Sequence, residues 1–229
     1  PDFVLFELES LDRKLPALED AWSLRHLLIN YEPVAAEPPF LVLRKRRTEP
    51  ARLELVKQGS VQPREIIDLR GFGTNQMWLE VDVKPTWTGR LREILLRPPI
   101  ARLAIWDEQG SRVVMRRRAP SNMLSAGFIG RPLLLRTEDV VPLYGGVSKP
   151  GTAGYSIEID PGDARYWQPD IAYRVYRIEN STGGSLSDEA RSFVRVFQEQ
   201  AQSGNPWSRL QEGPSTEADR KPFVLFRNS

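Results

Sequence analysis

The stretch that most constrains this chain is Met77-Trp-Leu-Glu-Val-Asp-Val-Lys84, in which Met77, Leu79, Val81 and Val83 alternate with Trp78, Glu80, Asp82 and Lys84. A period of two belongs to a strand, because successive side chains point to opposite faces, and it predicts here one buried and one wetted face. Downstream, Arg102-Leu-Ala-Ile-Trp106 and Arg112-Val-Val-Met-Arg116 flank the polar connection Asp107-Glu-Gln-Gly110, the pattern of a β-hairpin. A chain built this way through its middle needs a β-sheet core, with the remaining segments packed onto it.

The elements on either side divide the sequence into three parts. In residues 1–47, Asp2 to Glu9 reads as a strand, and Leu15-Pro16 opens an amphipathic helix with Leu18, Ala21, Trp22, Leu24, Leu28 and Ile29 on its apolar side, closed by Asn30. Pro39-Phe-Leu-Val-Leu-Arg44 follows as a strand, so this part resembles a small α/β unit of βαβ type. Residues 48–182 carry the strands Leu53 to Val56, Glu65 to Leu69, the central pairs above, Arg90 to Arg97 halted by Pro98-Pro99, Tyr155 to Asp160 and Ile171 to Ile178. The passage from Ser121 between them reads as irregular. Short strands at regular spacing predict a β-sandwich or jelly-roll-like core. In residues 183–229, Ser185 and Asp188 resemble a helix cap, and Leu186, Ala190, Phe193, Val194, Phe197 and Ala201 form a helical stripe that Gly204 and Pro206 end. Gln211 to Lys221 is a polar passage, and Phe223 to Phe226 reads as a final strand. The expected class is mainly β, of α+β type.

Composition narrows the functions. The 229 residues form one large domain or a domain with a smaller companion, and 40% hydrophobic with 27% charged residues is the balance of a folded chain. Thirty-two Lys and Arg against thirty Asp and Glu leave +2, too little to call for a nucleic-acid partner. The dense basic runs Arg44 to Arg47 and Arg116 to Arg118 read as solvated strand ends, with phosphate or anionic lipid as the alternative. Cysteine is absent, which removes disulfides, thiolate metal sites and cysteine nucleophiles. No apolar run approaches the roughly 20 residues that span a bilayer, and the start at Pro1 is expected for a piece of a longer protein.

Candidate sites are few. His26 is the only histidine and reads as structural; a two-histidine metal site is impossible. Glu158 and Asp160 share one strand face, with Asp163 in the adjoining turn. Such carboxylates can hold calcium, serve paired-carboxylate glycoside hydrolysis, or simply form the turn. Trp78, on the polar side of its strand, and Trp87, Trp106 and Trp167 offer rings that can stack on sugars, with Glu80 and Asp82 to bond hydroxyl groups. Core packing is the competing reading of each ring. Neither Gly71-Phe-Gly73 nor Gly183-Gly184 belongs to a nucleotide-binding loop, and no cofactor is expected.

Pro1-Asp-Phe-Val-Leu-Phe-Glu-Leu-Glu-Ser10, Leu18-Glu-Asp20, Tyr31-Glu-Pro-Val34 and Phe40-Leu-Val-Leu-Arg-Lys-Arg46 resemble the soluble tail after the last membrane helix of bacterial polytopic glycosyltransferase-like proteins of mannosyltransferase type. Pro132-Leu-Leu-Leu135 and Asp139 to Gly146 resemble the β-sandwich that can follow. The resemblance implies an extracytoplasmic, membrane-tethered accessory domain, non-catalytic because that family's acidic residues lie in its membrane portion. Its partners would be a glycan or the membrane-embedded part of the parent. Two alternatives stand beside it: a soluble carbohydrate-active enzyme using Glu158 or Asp160, and an interaction module whose Leu186 to Ala201 stripe meets a partner protein.

Overall fold

The structure is a computed structural model that describes residues 1–9, 14–37, 39–47, 49–73, 75–96, 100–145, 152–179 and 186–202. The expected cap at Ser185, the stop at Gly204 and Pro206, the polar passage Gln211 to Lys221 and the final strand Phe223 to Phe226 lie outside them. The described chain is mainly β, with eleven strands in three antiparallel sheets and several short helices.

The first sheet holds β1 (Phe3–Phe6), β2 (Tyr31–Glu37) and β3 (Phe40–Lys45) in the order β1-β3-β2. Helices α1 (Pro16–Glu19) and α2 (Ala21–Asn30) lie between β1 and β2 in sequence. The βαβ expectation changes in two ways. The strand Tyr31–Glu37 was not foreseen, and Phe3–Phe6 pairs antiparallel, not parallel, with Phe40–Lys45. The single expected helix is broken at Asp20, yet Leu18, Ala21, Leu24 and Leu28 are buried as their spacing requires, while Trp22 is exposed.

Two four-stranded sheets carry the rest. One orders β5 (Ile67–Asp68), β10 (Gly154–Ile159), β7 (Ala101–Trp106) and β8 (Val113–Arg118); the other orders β4 (Arg52–Val61), β11 (Ile171–Glu179), β6 (Met77–Asp82) and β9 (Phe128–Arg131). The hairpin β7–β8 forms as its turn chemistry dictates: Gly110 takes a left-handed φ of 70°, and the Asp107 carboxylate accepts the Ser111 amide at 2.8 Å. Tyr155 on β10 reaches the other sheet, meeting Phe128 edge-on at 5.1 Å and donating its hydroxyl to the Gly130 carbonyl at 2.7 Å.

Helices cover what the sheets leave open. Of the segment Arg90 to Arg97, expected as a strand, Arg90 to Leu95 belongs to helix α3 (Trp87–Leu95), which Thr86 caps by accepting the Gly89 amide at 3.2 Å. The passage after Ser121 is helix α4 (Ser121–Ala126) followed by β9, and α4 lies on β6. Past the single helical turn α5 (Val141–Tyr144), α6 (Asp188–Gln202) packs its stripe onto β2 and α5, burying Ala190, Val194 and Phe197. These three residues of the stripe are therefore covered within the chain. No helix among the described residues is long and apolar enough to cross a membrane.

In the basic run at the end of β3, Lys45 and Arg47 are exposed as expected, while Arg44 and Arg46 are structural. Arg44 donates to Glu32 at 2.8 Å, to Glu189 at 2.5 Å and to the Ser187 hydroxyl at 2.8 Å; the Ser187 amide returns to Glu32 at 2.9 Å. Ser187 also caps α6 by accepting the Ala190 amide at 3.2 Å. Arg46 donates to the Tyr31 carbonyl at 2.9 Å and to the Leu28 carbonyl at 3.4 Å, satisfying the last turn of α2. Burial works to raise the Glu32 pKa, but the hydrogen bonds from Arg44 and Ser187 outweigh it and hold the carboxyl below its ordinary value.

Candidate functional site

Strand β6 is the floor of the site, though not with the wet face its alternation predicts. Met77, Leu79 and Val81 are fully buried, and so is Trp78 on the opposite side, where α4 closes over it. Gly127, at the end of α4, has a left-handed φ of 87° and sits so close to the Trp78 indole that a Cβ there would run into the ring. Trp78 thus offers no face to a sugar. Period two shows that a strand has two faces; it does not show what lies on each.

The same side of β6 opens beyond α4. Register places Glu80 opposite Arg174 on β11, and Arg174 opposite Gln58 on β4; one step along, Asp82 faces Ala172, which faces Ser60. A row of polar side chains therefore crosses three strands. With Gly59, Val81, Tyr173 and Ser125 it lines a cleft of about 620 Å³. Gly59 is fixed by close approach, since the Tyr173 ring lies where its side chain would be.

Glu80 is the best-held group in the cleft. Its carboxylate accepts from Arg25 at 3.5 Å, pairs with Arg174 at 3.1 Å, and accepts the Tyr176 hydroxyl at 3.2 Å. Burial and the adjacent Glu80 charge raise the Tyr176 pKa, which keeps the phenol a donor. Asp82 pairs with Lys84 at 3.0 Å. Each carboxylate of the cleft is thus paired with at least one cation, and the site presents both donors and acceptors without a concentrated charge.

Of the expected sugar-binding residues, the structure brings Glu80 and Asp82 together in the cleft and leaves the tryptophans elsewhere. Trp167 is buried, Trp106 is half-buried and donates its indole N–H to Ser156 at 2.9 Å, and Trp87 projects from α3. Arg174, Gln58, Tyr173, Arg25 and Tyr176 went unforeseen. Arg174 alone left a trace in sequence, as a charge inside the apolar alternation of Ile171 to Ile178.

The expected calcium set does not assemble. Glu158 accepts Arg116 Nε at 3.0 and 2.8 Å, Asp160 accepts Arg102 at 3.0 Å, and Asp163 accepts Arg92 at 2.6 Å. The Arg92 hydrogen bond overcomes burial to hold the Asp163 carboxyl below its ordinary range. Each carboxylate pairs with its own arginine, and the described residues contain no cluster of three or more His, Asp or Glu that could hold a metal. His26 meets Tyr31 and Asn30 on the surface of the first unit, within a groove along β1 that includes Trp22. No protein-family model, curated protein or solved structure matches the chain.

Proposed function

We propose that this chain is an accessory binding domain whose cleft on β4, β11 and β6 takes a glycan, and that it belongs, as a non-catalytic extracytoplasmic part, to a membrane glycosyltransferase-like protein. The observation that carries the binding half is the row Gln58–Arg174–Glu80 with Asp82, Ser125 and Tyr173 around one opening. An uncharged polyhydroxylated ligand needs closely spaced donors and acceptors on a rigid floor, and side chains fixed by cross-strand register supply them at little entropic cost. Glu80 is engaged by three donors, which suits an orienting acceptor better than a proton carrier.

The parent and its compartment rest on the resemblance of residues 1–46 and 132–146. On the same reading the two four-stranded sheets are the layers of a sandwich of jelly-roll type, supported by the contacts of Tyr155 with Phe128 and Gly130. The paired-carboxylate enzyme gains nothing from the structure, because Arg116 and Arg102 each hold one of its two carboxylates.

Calorimetric titration of the whole chain with fragments of bacterial cell-surface glycans tests the proposal. A saturable heat is expected, weakened roughly tenfold by Arg174→Ala, about the loss of one charged hydrogen bond. Asp82→Asn should also weaken it, and Glu158→Gln should leave it unchanged. Silence with every glycan would end the binding half of the reading.

A further inference from the structure

Helix α3 wears its apolar side outward. Trp87, Leu91, Ile94 and Leu95 recur at the spacing of one helical face, within an arc of about 100° at 3.6 residues per turn. They should be the buried side, yet Trp87 is 76% exposed, Ile94 80% and Leu95 68%, and Leu96 beyond the helix end is 75% exposed. The side turned to the protein is instead marked by Gly89, where a Cβ would collide with the Tyr166 carbonyl. The Thr86 cap, the Gly89 contact and the Arg92–Asp163 pair at 2.6 Å hold the helix with this stripe outward.

The charges beside the stripe are arranged to one purpose. Arg90 and Arg92 lie on its two flanks by helical position, and Arg165 packs over Tyr166 at 4.8 Å next to Arg92. Against these three cations stand Glu93, exposed on the helix, and Asp163, already paired to Arg92. An aliphatic ridge with a tryptophan at one end and an excess of arginine on its flanks is the composition of a helix that lies in a membrane interface. Its apolar side chains enter the acyl boundary, the indole sits at headgroup level, and the guanidinium groups reach anionic phosphates.

We infer that α3 is a membrane-surface contact, seating the chain on a bilayer bearing anionic phospholipid through Trp87, Leu91, Ile94, Leu95 and Leu96. This goes beyond glycan binding and does not depend on it, since the cleft is lined by other residues. The occupant is lipid in preference to a protein because the exposed aliphatic stripe is flanked by cations, complementary to an anionic bilayer surface.

The test is co-sedimentation of the full chain with vesicles of phosphatidylcholine, with and without phosphatidylglycerol, alongside quenching of tryptophan fluorescence by brominated lipid. Binding is expected to the anionic vesicles, weaker at high salt. The double substitution Ile94→Ser with Leu95→Ser should weaken it about tenfold or more, since two exposed aliphatic side chains lose their burial in lipid. Both positions are exposed, so the variant should keep the wild-type melting temperature. Phe3→Ser with Leu5→Ser, which removes the exposed apolar residues of β1, should leave binding intact. No binding to phosphatidylglycerol vesicles overturns the inference, as does equal loss in both double variants. Sedimentation velocity covers the remaining occupant: a dimer that Ile94→Ser with Leu95→Ser dissociates, without lipid binding by the wild type, would assign the ridge to a second copy and refute the membrane contact.

Discussion

Replacing Arg44 with methionine tests how α6 is held to the first sheet. The perturbation removes a charged hydrogen bond to Glu32, a bond to the Ser187 hydroxyl and a pair with the exposed Glu189. Glu32 keeps its bonds with Ser187, with its side chain 2% exposed. A buried charge robbed of its partner costs about 3–5 kcal/mol; the remaining Ser187 bonds and the partly exposed Arg44 place this case near 3 kcal/mol. Glu189 adds little, as exposed pairs contribute about 0–1 kcal/mol. Adding Glu32→Leu to Arg44→Met should recover about 2 kcal/mol, because the stranded charge is gone. Denaturant unfolding of wild type, both single variants and the double variant gives these numbers, and hydrogen exchange should show α6 amides losing protection first in Arg44→Met. The pH dependence has a fixed sign. Glu32 is held below its ordinary value of 4.5, so its contribution is present above that pH and is lost as pH falls through the lower folded-state value. Wild type and Glu32→Gln should therefore converge in stability in acid. An Arg44→Met cost under about 1 kcal/mol, or strictly additive effects, would refute the reasoning.

Other substitutions probe the site and its supports. Trp78→Ala should cost about 3–5 kcal/mol in denaturant unfolding, as deletion of a fully buried indole, which a surface sugar platform would not do. Gly127→Ala forces a left-handed residue and a collision with the same ring, and should lower the melting temperature by an amount that corresponds to roughly 3 kcal/mol. Gly89→Ala should lift α3 from the Tyr166 carbonyl, read as faster hydrogen exchange confined to the α3 amides.

How much of this was legible in sequence depended on whether the deciding contact was local. The β7–β8 hairpin and α6 could be read because turn residues and periodicity sit in the segment itself. Helix α3 is not legible from periodicity because its apolar residues serve both templates, and what decides is the Thr86 cap and the close approach at Gly89. Trp78 was placed outward because alternation cannot announce a helix arriving from residues 121–126. The calcium set failed for a related reason: Arg92, Arg102 and Arg116 come from α3, β7 and β8, and no pattern around Glu158 foretells them. Half of the cleft was visible as Glu80 and Asp82; the other half arrives through strand register between β6, β11 and β4.

The most direct measurement of the central claim is amide chemical-shift mapping of the whole chain during titration with the glycan fragment that gives the largest calorimetric heat. Binding in the cleft requires saturable shifts gathered at Gln58 to Ser60, Glu80 to Asp82, Ser125 and Ala172 to Arg174. Shifts gathered instead at α3 or along β1, or no saturable shifts at all, would contradict it.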